Sequence, residues 1–161
     1  MLRMKKRLPC FCSMAKSFFA EAEEKMRLLE DIFVDSSAWI ALADYDDFFH
    51  KDAASNYVSI FKNHKTLITS NLVIAETYIV LLKELGHRAA TEFLGRIKAS
   101  PRIKKIYSDE SIEAEAEHLL GKYSDQDFSY ADAVSFVIMN RHKIKRSFSF
   151  NKHFVTAGFT N

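Results

Sequence analysis

Cysteine is nearly absent from this chain of 161 residues: there are two, Cys10 and Cys12, both in the N-terminal tail. One intervening residue leaves them too close for a relaxed disulfide, and no further Cys or His stands near enough to build a zinc site. The expectation is a protein of a reducing, cytoplasmic compartment. Glycine (4) and proline (2) are equally scarce, which points to regular elements with short connections. No glycine-rich phosphate loop occurs, and this argues against a nucleotide-binding doubly wound enzyme. No apolar run approaches the ~20 residues of a membrane span, so no membrane partner is expected. An excess of one charge is also lacking. The net charge is +2, but Arg3, Lys5, Lys6, Arg7 and Lys16 stand in residues 1–16 without an acid, and removing those five leaves −3 for the body. Contact with nucleic acid must then come from local patches.

What remains is ordinary for a globular domain: 48% hydrophobic and 27% charged residues, with phenylalanine abundant at 14. The first 30 residues read as a basic tail followed by an extra amphipathic helix, Ser17–Leu29. The stretch Leu8–Met14 is short and broken by Pro9, unlike a secretory leader. Either a basic extension or an over-extended start, with Met14 or Met26 as the first residue, fits better. Residues 31–161 read as one domain.

Within that domain short apolar strands alternate with helical periodicity. Strands are expected at Ile32–Asp35, Thr66–Thr69, Ile103–Tyr107 and Arg146–Phe150. Helices are expected at Ser37–Ala43, His50–Phe61, Asn71–Leu82 with Gly86 as its stop, Arg88–Ala99, Ser111–Lys122 and Ser129–Arg141. Such alternation implies crossover units around a parallel sheet, an α/β fold.

Three carboxylates sit in apolar surroundings. Glu76 has Leu72, Val73, Ile79 and Val80 as its helical neighbours, which is expected to turn it toward the core. An unpartnered buried charge costs several kcal/mol, and Lys83, seven residues on, is out of short reach. Asp35 follows the first strand, and Asp132 opens an apolar helix. Each also fits a helix cap. In an open parallel sheet, ligands bind beyond the carboxyl ends of the strands, where these acids would meet. Clustered carboxylates raise one another's pKa unless a cation joins them. All-oxygen ligands suit Mg²⁺ or Mn²⁺.

Four segments carry a resemblance: Ile32-Phe-Val-Asp-Ser-Ser-Ala-Trp-Ile-Ala-Leu42, Ser70-Asn-Leu-Val-Ile-Ala-Glu-Thr77, Phe128-Ser-Tyr-Ala-Asp-Ala-Val-Ser-Phe136 and Phe150-Asn-Lys-His-Phe154. In order and spacing they resemble the PIN-domain family, closest to its VapC-type toxin ribonucleases. The resemblance covers about residues 31–160. It implies a three-layer α/β/α sandwich with a central parallel sheet, and a Mg²⁺- or Mn²⁺-dependent endoribonuclease acting on RNA. It further implies Asp35, Glu76 and Asp132 as metal-site acids, with Asp35 and Asp132 as direct ligands and Ser36 or Ser37 orienting the first. A homodimer and a cognate antitoxin laid across the acidic pocket are implied partners.

The chain departs from the family pattern at Asn151, where many members carry a fourth Asp. Three formal charges instead of four imply weakened metal binding at a second position. The alternatives are a degenerate member serving as a binding module, or a housekeeping RNA-processing nuclease without an antitoxin. Asp127 is expected to be an exposed loop residue rather than the missing acid. No general-base role is assigned to His50, His64 or His153. Tyr130 and Phe154 are expected in the core, while Trp39, Phe48 and Phe49 are candidates for partner contacts. The basic groups Arg141–Arg146, Lys62–Lys65 and Arg102–Lys105 are candidate phosphate contacts weighed against solvated turns.

Overall fold

A computed structural model describes residues 29–161. The basic tail, both cysteines and most of the extra helix expected at Ser17–Leu29 lie outside the described residues. The order of elements is β1 (Ile32–Val34), α1 (Ser36–Ala43), α2 (His50–Asn63), β2 (Leu67–Ser70), α3 (Asn71–Glu84), α4 (His87–Ala99), β3 (Ile103–Ile106), α5 (Glu110–Lys122), α6 (Tyr130–Arg141), β4 (Ser147–Phe148) and α7 (Lys152–Thr156).

The four strands form one parallel sheet in the order β3-β2-β1-β4. Ile32 pairs with Leu67, Leu67 with Ile103, and Phe33 with Ser147. β1 and β2 are buried throughout, as expected of parallel strands covered on both faces. The path steps one way from β1 through β2 to β3 and then returns across the sheet to β4. Right-handed crossovers therefore set α1–α4 on one face and α5–α6 on the other. This is the three-layer α/β/α arrangement. Its core holds Phe33, Leu67, Leu81, Phe136, Ile138 and Phe154, all fully buried. α6 is buried from Asp132 to Met139 without a polar face, the pattern of a helix enclosed on all sides.

Each strand leads toward a helix whose first turn is capped by a side chain. Asp35 caps α1, Ser70 caps α3, Asp109 caps α5 and Asn151 caps α7. In a parallel sheet all four caps fall at the same edge, so the need to satisfy orphan helix N–H groups gathers polar side chains there. Gly86 has φ +85° at the start of α4, a conformation for which glycine is favoured.

Several expectations need correction. β4 is only Ser147–Phe148, not Arg146–Phe150, because Phe150 N–H leaves the ladder and donates to Ser37 Oγ at 3.0 Å. α7, with five residues, is too short to show a period in sequence. Glu76 does not face the core: α3 buries Val73, Ile74, Thr77 and Leu81, and Glu76 is exposed. It stands about 115° round the helix from the centre of that stripe. Trp39 is buried, its indole N–H donating to Thr69 Oγ1 at 3.4 Å, so it does not offer a partner contact. Tyr130 is exposed rather than in the core, whereas Phe154 is fully buried.

Candidate active site

Asp35 leaves β1 in extended conformation and turns its carboxylate onto the start of α1. Oδ2 accepts from Ser37 Oγ (2.6 Å), Ser149 Oγ (2.9 Å) and Ser37 N–H (3.3 Å). Oδ1 has only the long 3.4 Å contact from Ser36 Oγ. One oxygen is thus anchored by three donors while the other keeps lone pairs to spare.

Asp132 occupies the third position of α6 and closes a reciprocal cap: Ser129 Oγ accepts from Asp132 N–H, and Asp132 Oδ2 accepts from Ser129 N–H, each at 3.0 Å. The expected cap is therefore present, but the carboxylate does more. Asn151 Nδ2 donates to Oδ1 at 3.0 Å, and the His153 ring meets Oδ2 through Nδ1 at 3.0 Å. Both Asp35 and Asp132 are buried.

Ser149 joins the two acids. Its hydroxyl donates to Asp35 and accepts from Asn151 N–H at 3.0 Å, so hydrogen bonds run unbroken from Asp35 through Ser149 and Asn151 to Asp132. This line crosses between β1 and β4, where the strand order reverses, the place at which open α/β sheets form their ligand crevice.

Glu76 faces this pair from α3. Partial burial raises its pKa above the usual carboxylate range, and the charges of Asp35 and Asp132 raise it further. The nearby Ser36 hydroxyl opposes the shift. Among the described residues Glu76 has no cationic partner. The structure thus brings Asp35, Glu76, Asp132 and Asn151 to one crevice, while Asp127 is exposed in the preceding loop. Among the described residues no three His, Cys, Asp or Glu side chains approach closely enough to chelate an ion as they stand. The donor chemistry nevertheless suits a hard divalent cation: carboxylate oxygens, one with lone pairs to spare, and one acid whose charged form partial burial and acidic neighbours disfavour.

Ser149 and His153 belong to this network and were not singled out for it by sequence. For Ser149 the signal was available: Ser147 and Ser149 sit on alternate positions of a buried strand end, where small hydroxyls are kept to satisfy neighbours. His153 stands inside the last of the four resembling segments, but its contact with Asp132 had no sign in the sequence.

The basic groups lie elsewhere. Lys65, Arg102 and Arg146 precede β2, β3 and β4, at the sheet edge opposite the acids. Arg102 donates to the carbonyls of Lys65 (3.0 Å), Phe61 (2.9 Å) and His64, closing the end of α2. Arg141 pairs with Glu115 at 2.6 Å. His64 is buried, and burial lowers its pKa. Arg102 and His64 thus have structural roles, while Arg141 is held in a surface ion pair.

Comparison with known proteins agrees with the fold. The PIN domain model matches residues 32–159. The 23S rRNA-specific endonuclease VapC20 of Mycobacterium tuberculosis, in two strains, is 33% identical over 129 residues, spanning 80% of this chain and 95% of the relative. The crystal structure of Mycobacterium tuberculosis VapC20, described as a sarcin-ricin loop cleaving toxin, superposes with a TM-score of 0.75 at 31% identity. That match covers 80% of this chain and 96% of the other. A fold, a crevice and a family model that coincide over the same residues lead to one conclusion: the chain belongs to the PIN-domain family.

Proposed function

We propose that this protein is a Mg²⁺- or Mn²⁺-dependent endoribonuclease and the toxin of a type II toxin–antitoxin pair. The observation that carries the reading is the pairing of Asp35 with Asp132 through Ser149 and Asn151, with the uncompensated charge of Glu76 opposite. Asp35 through its free Oδ1, Glu76, and Asp132 would hold the ion. Bound there, a divalent ion supplies an acidified water and offsets the charge that grows on a phosphodiester in its transition state. Ser37 and Ser149 keep Asp35 in one rotamer, and Asn151 and His153 do the same for Asp132, so the acids need not reorganise as charge develops.

VapC20 is named for cleavage of 23S rRNA, so ribosomal RNA is the first substrate to try. The exposed Ile79 and Leu82, three residues apart on one face of α3, suit the homodimer that the resemblance implies. The acidic crevice suits a basic segment of an antitoxin.

A specific observation supports a second reading. The Asn151 amide donates into Asp132, where a fourth acid would repel it and draw in a cation. A site stabilised in this way without metal fits a binding module. Incubating the purified chain with ribosomal RNA and Mn²⁺ separates the two. Cleavage that EDTA, Asp35→Asn and Asp132→Asn each abolish supports the nuclease. Intact RNA under all conditions supports the module.

A further inference from the structure

Beside the acidic crevice a groove of about 540 Å³ lies between α2 and β4, reaching the crevice through Ser149 rather than through the acids themselves. At the crevice end stand Ser149, which donates to Asp35, and Phe150, whose N–H is held by Ser37. The Phe150 ring is stacked on Phe49, with centroids 4.6 Å apart and planes at 13°. Phe48 meets Phe49 edge-on at 88° and is itself 91% exposed. Its neighbours Asp44 and Asp47 are turned back onto their own loop, accepting from Asp46 N–H and Phe49 N–H.

Along the groove, α2 contributes Asn56, Ser59 and Asn63, at helical spacings of three and four that place them on one face. This face sets neutral donors and acceptors around Ile60, with Asn63 Nδ2 donating to Ser59 Oγ at 3.1 Å. At the far end stands Arg146, exposed, with no carboxylate paired to it among the described residues. From Ser149 to Arg146 the strand covers about 10 Å at the usual rise per residue. An aromatic stack, a line of amides and hydroxyls, and a guanidinium are the three kinds of group that hold the base, sugar and phosphate of an unpaired strand.

We propose that this groove is the track for single-stranded RNA leading away from the cleavage site. A nucleobase beside the scissile phosphate lies against the Phe49–Phe150 pair, with Phe48 at its edge. The strand passes Asn56, Ser59 and Asn63, and Arg146 takes a phosphate. The proposal rests on the nuclease reading, and it sets Arg146 apart from the rest of the basic stretch Arg141–Arg146.

The test is binding of a short fluorescein-labelled RNA that spans a site cleaved by the wild type, held in EDTA so that no cleavage occurs, and followed by anisotropy across a salt series. Arg146→Gln is expected to flatten the log–log salt dependence by about 0.7, the loss of one phosphate contact to a single strand. Phe150→Leu is expected to weaken binding about fivefold or more at every salt concentration while leaving the slope unchanged. Asn56→Ala, a milder change on the opposite wall, is expected to weaken binding as well and guards against misfolding of the strand variants. Lys104→Gln, an exposed cation on the far edge strand, is the control and should match the wild type. Absence of any cleaved site removes the nuclease reading itself. A cleaved RNA that Arg146→Gln, Phe150→Leu and Asn56→Ala all bind like the wild type, or an Arg146→Gln slope no flatter than that of Lys104→Gln, overturns the track alone.

Discussion

Asn151 donates its side-chain amide to Asp132 Oδ1 at 3.0 Å while its own carbonyl oxygen accepts from His153 N–H at 3.0 Å. These two bonds fix which end of the amide is which, since a flipped amide would set oxygen against carboxylate and N–H against NH₂. The residue that replaces a fourth acid therefore acts as a donor toward the site, and its carbonyl is already engaged in capping α7. Asn151→Asp exchanges this bond for a like-charge contact. The variant should melt at a lower temperature than the wild type in EDTA and recover or exceed it with Mn²⁺. It should also cleave RNA faster at limiting Mg²⁺. Thermal melts with and without metal, and initial rates across a Mg²⁺ series, check both outcomes.

Ser149 donates to Asp35 and accepts from Asn151 through one hydroxyl. Ser149→Ala leaves a buried carboxylate short of one donor and a backbone N–H without its partner. Losses of this kind cost about 1–3 kcal/mol. Urea unfolding should show that loss as a lower midpoint with an unchanged slope, and RNA cleavage should fall with it. Ser149→Thr, which keeps the hydroxyl, should recover part of both.

Glu76 carries a pKa raised by burial and by its acidic neighbours. In the unfolded chain it ionises near the ordinary value of 4.5, so between that value and the raised one the folded state holds more protons. Stability then falls as pH rises through this interval. Glu76→Gln removes the effect. Without divalent metal it should melt slightly above the wild type at neutral pH, and the difference should vanish below pH 4.5. Added Mg²⁺ should reverse the order, because only the wild type gains a ligand. Melting curves over a pH series, with and without Mg²⁺, check the sign.

The exposed pair Ile79 and Leu82 on α3 predicts an association surface. Leu82→Glu should shift a dimer to a monomer in analytical ultracentrifugation at equal concentration, with the far-ultraviolet circular dichroism spectrum unchanged.

The alternation of strands and helices was legible because β1 is a continuous apolar run and β2 opens on Leu67 and Ile68 before its polar end, and because Gly86 and Pro101 punctuate the chain. That Asp35 and Asp132 come together was legible for a related reason. Their helix-capping role sets them at the sheet edge where crevices form, so the capping reading and the functional one describe the same geometry. Glu76 was expected beside Asp35 and Asp132, where the structure also sets it, but for a mistaken reason. Its neighbours Leu72 and Ile79 are apolar, yet Ile79 is 49% exposed, so an apolar surface face was taken for the core. The short β4 was not legible because it depends on Phe150 giving its N–H to Ser37, a contact between residues 113 positions apart, and the groove beside it needs α2 set against that strand.

The central claim is that Asp35, Glu76 and Asp132 together hold a divalent ion. Electron paramagnetic resonance titration of the metal-free protein with Mn²⁺ tests it most directly, because it reads occupancy without reference to cleavage. The account predicts saturable binding by the wild type, weakened about tenfold or more in each of Asp35→Asn, Glu76→Gln and Asp132→Asn, with circular dichroism unchanged. Wild-type affinity for Mn²⁺ in all three folded variants would contradict it.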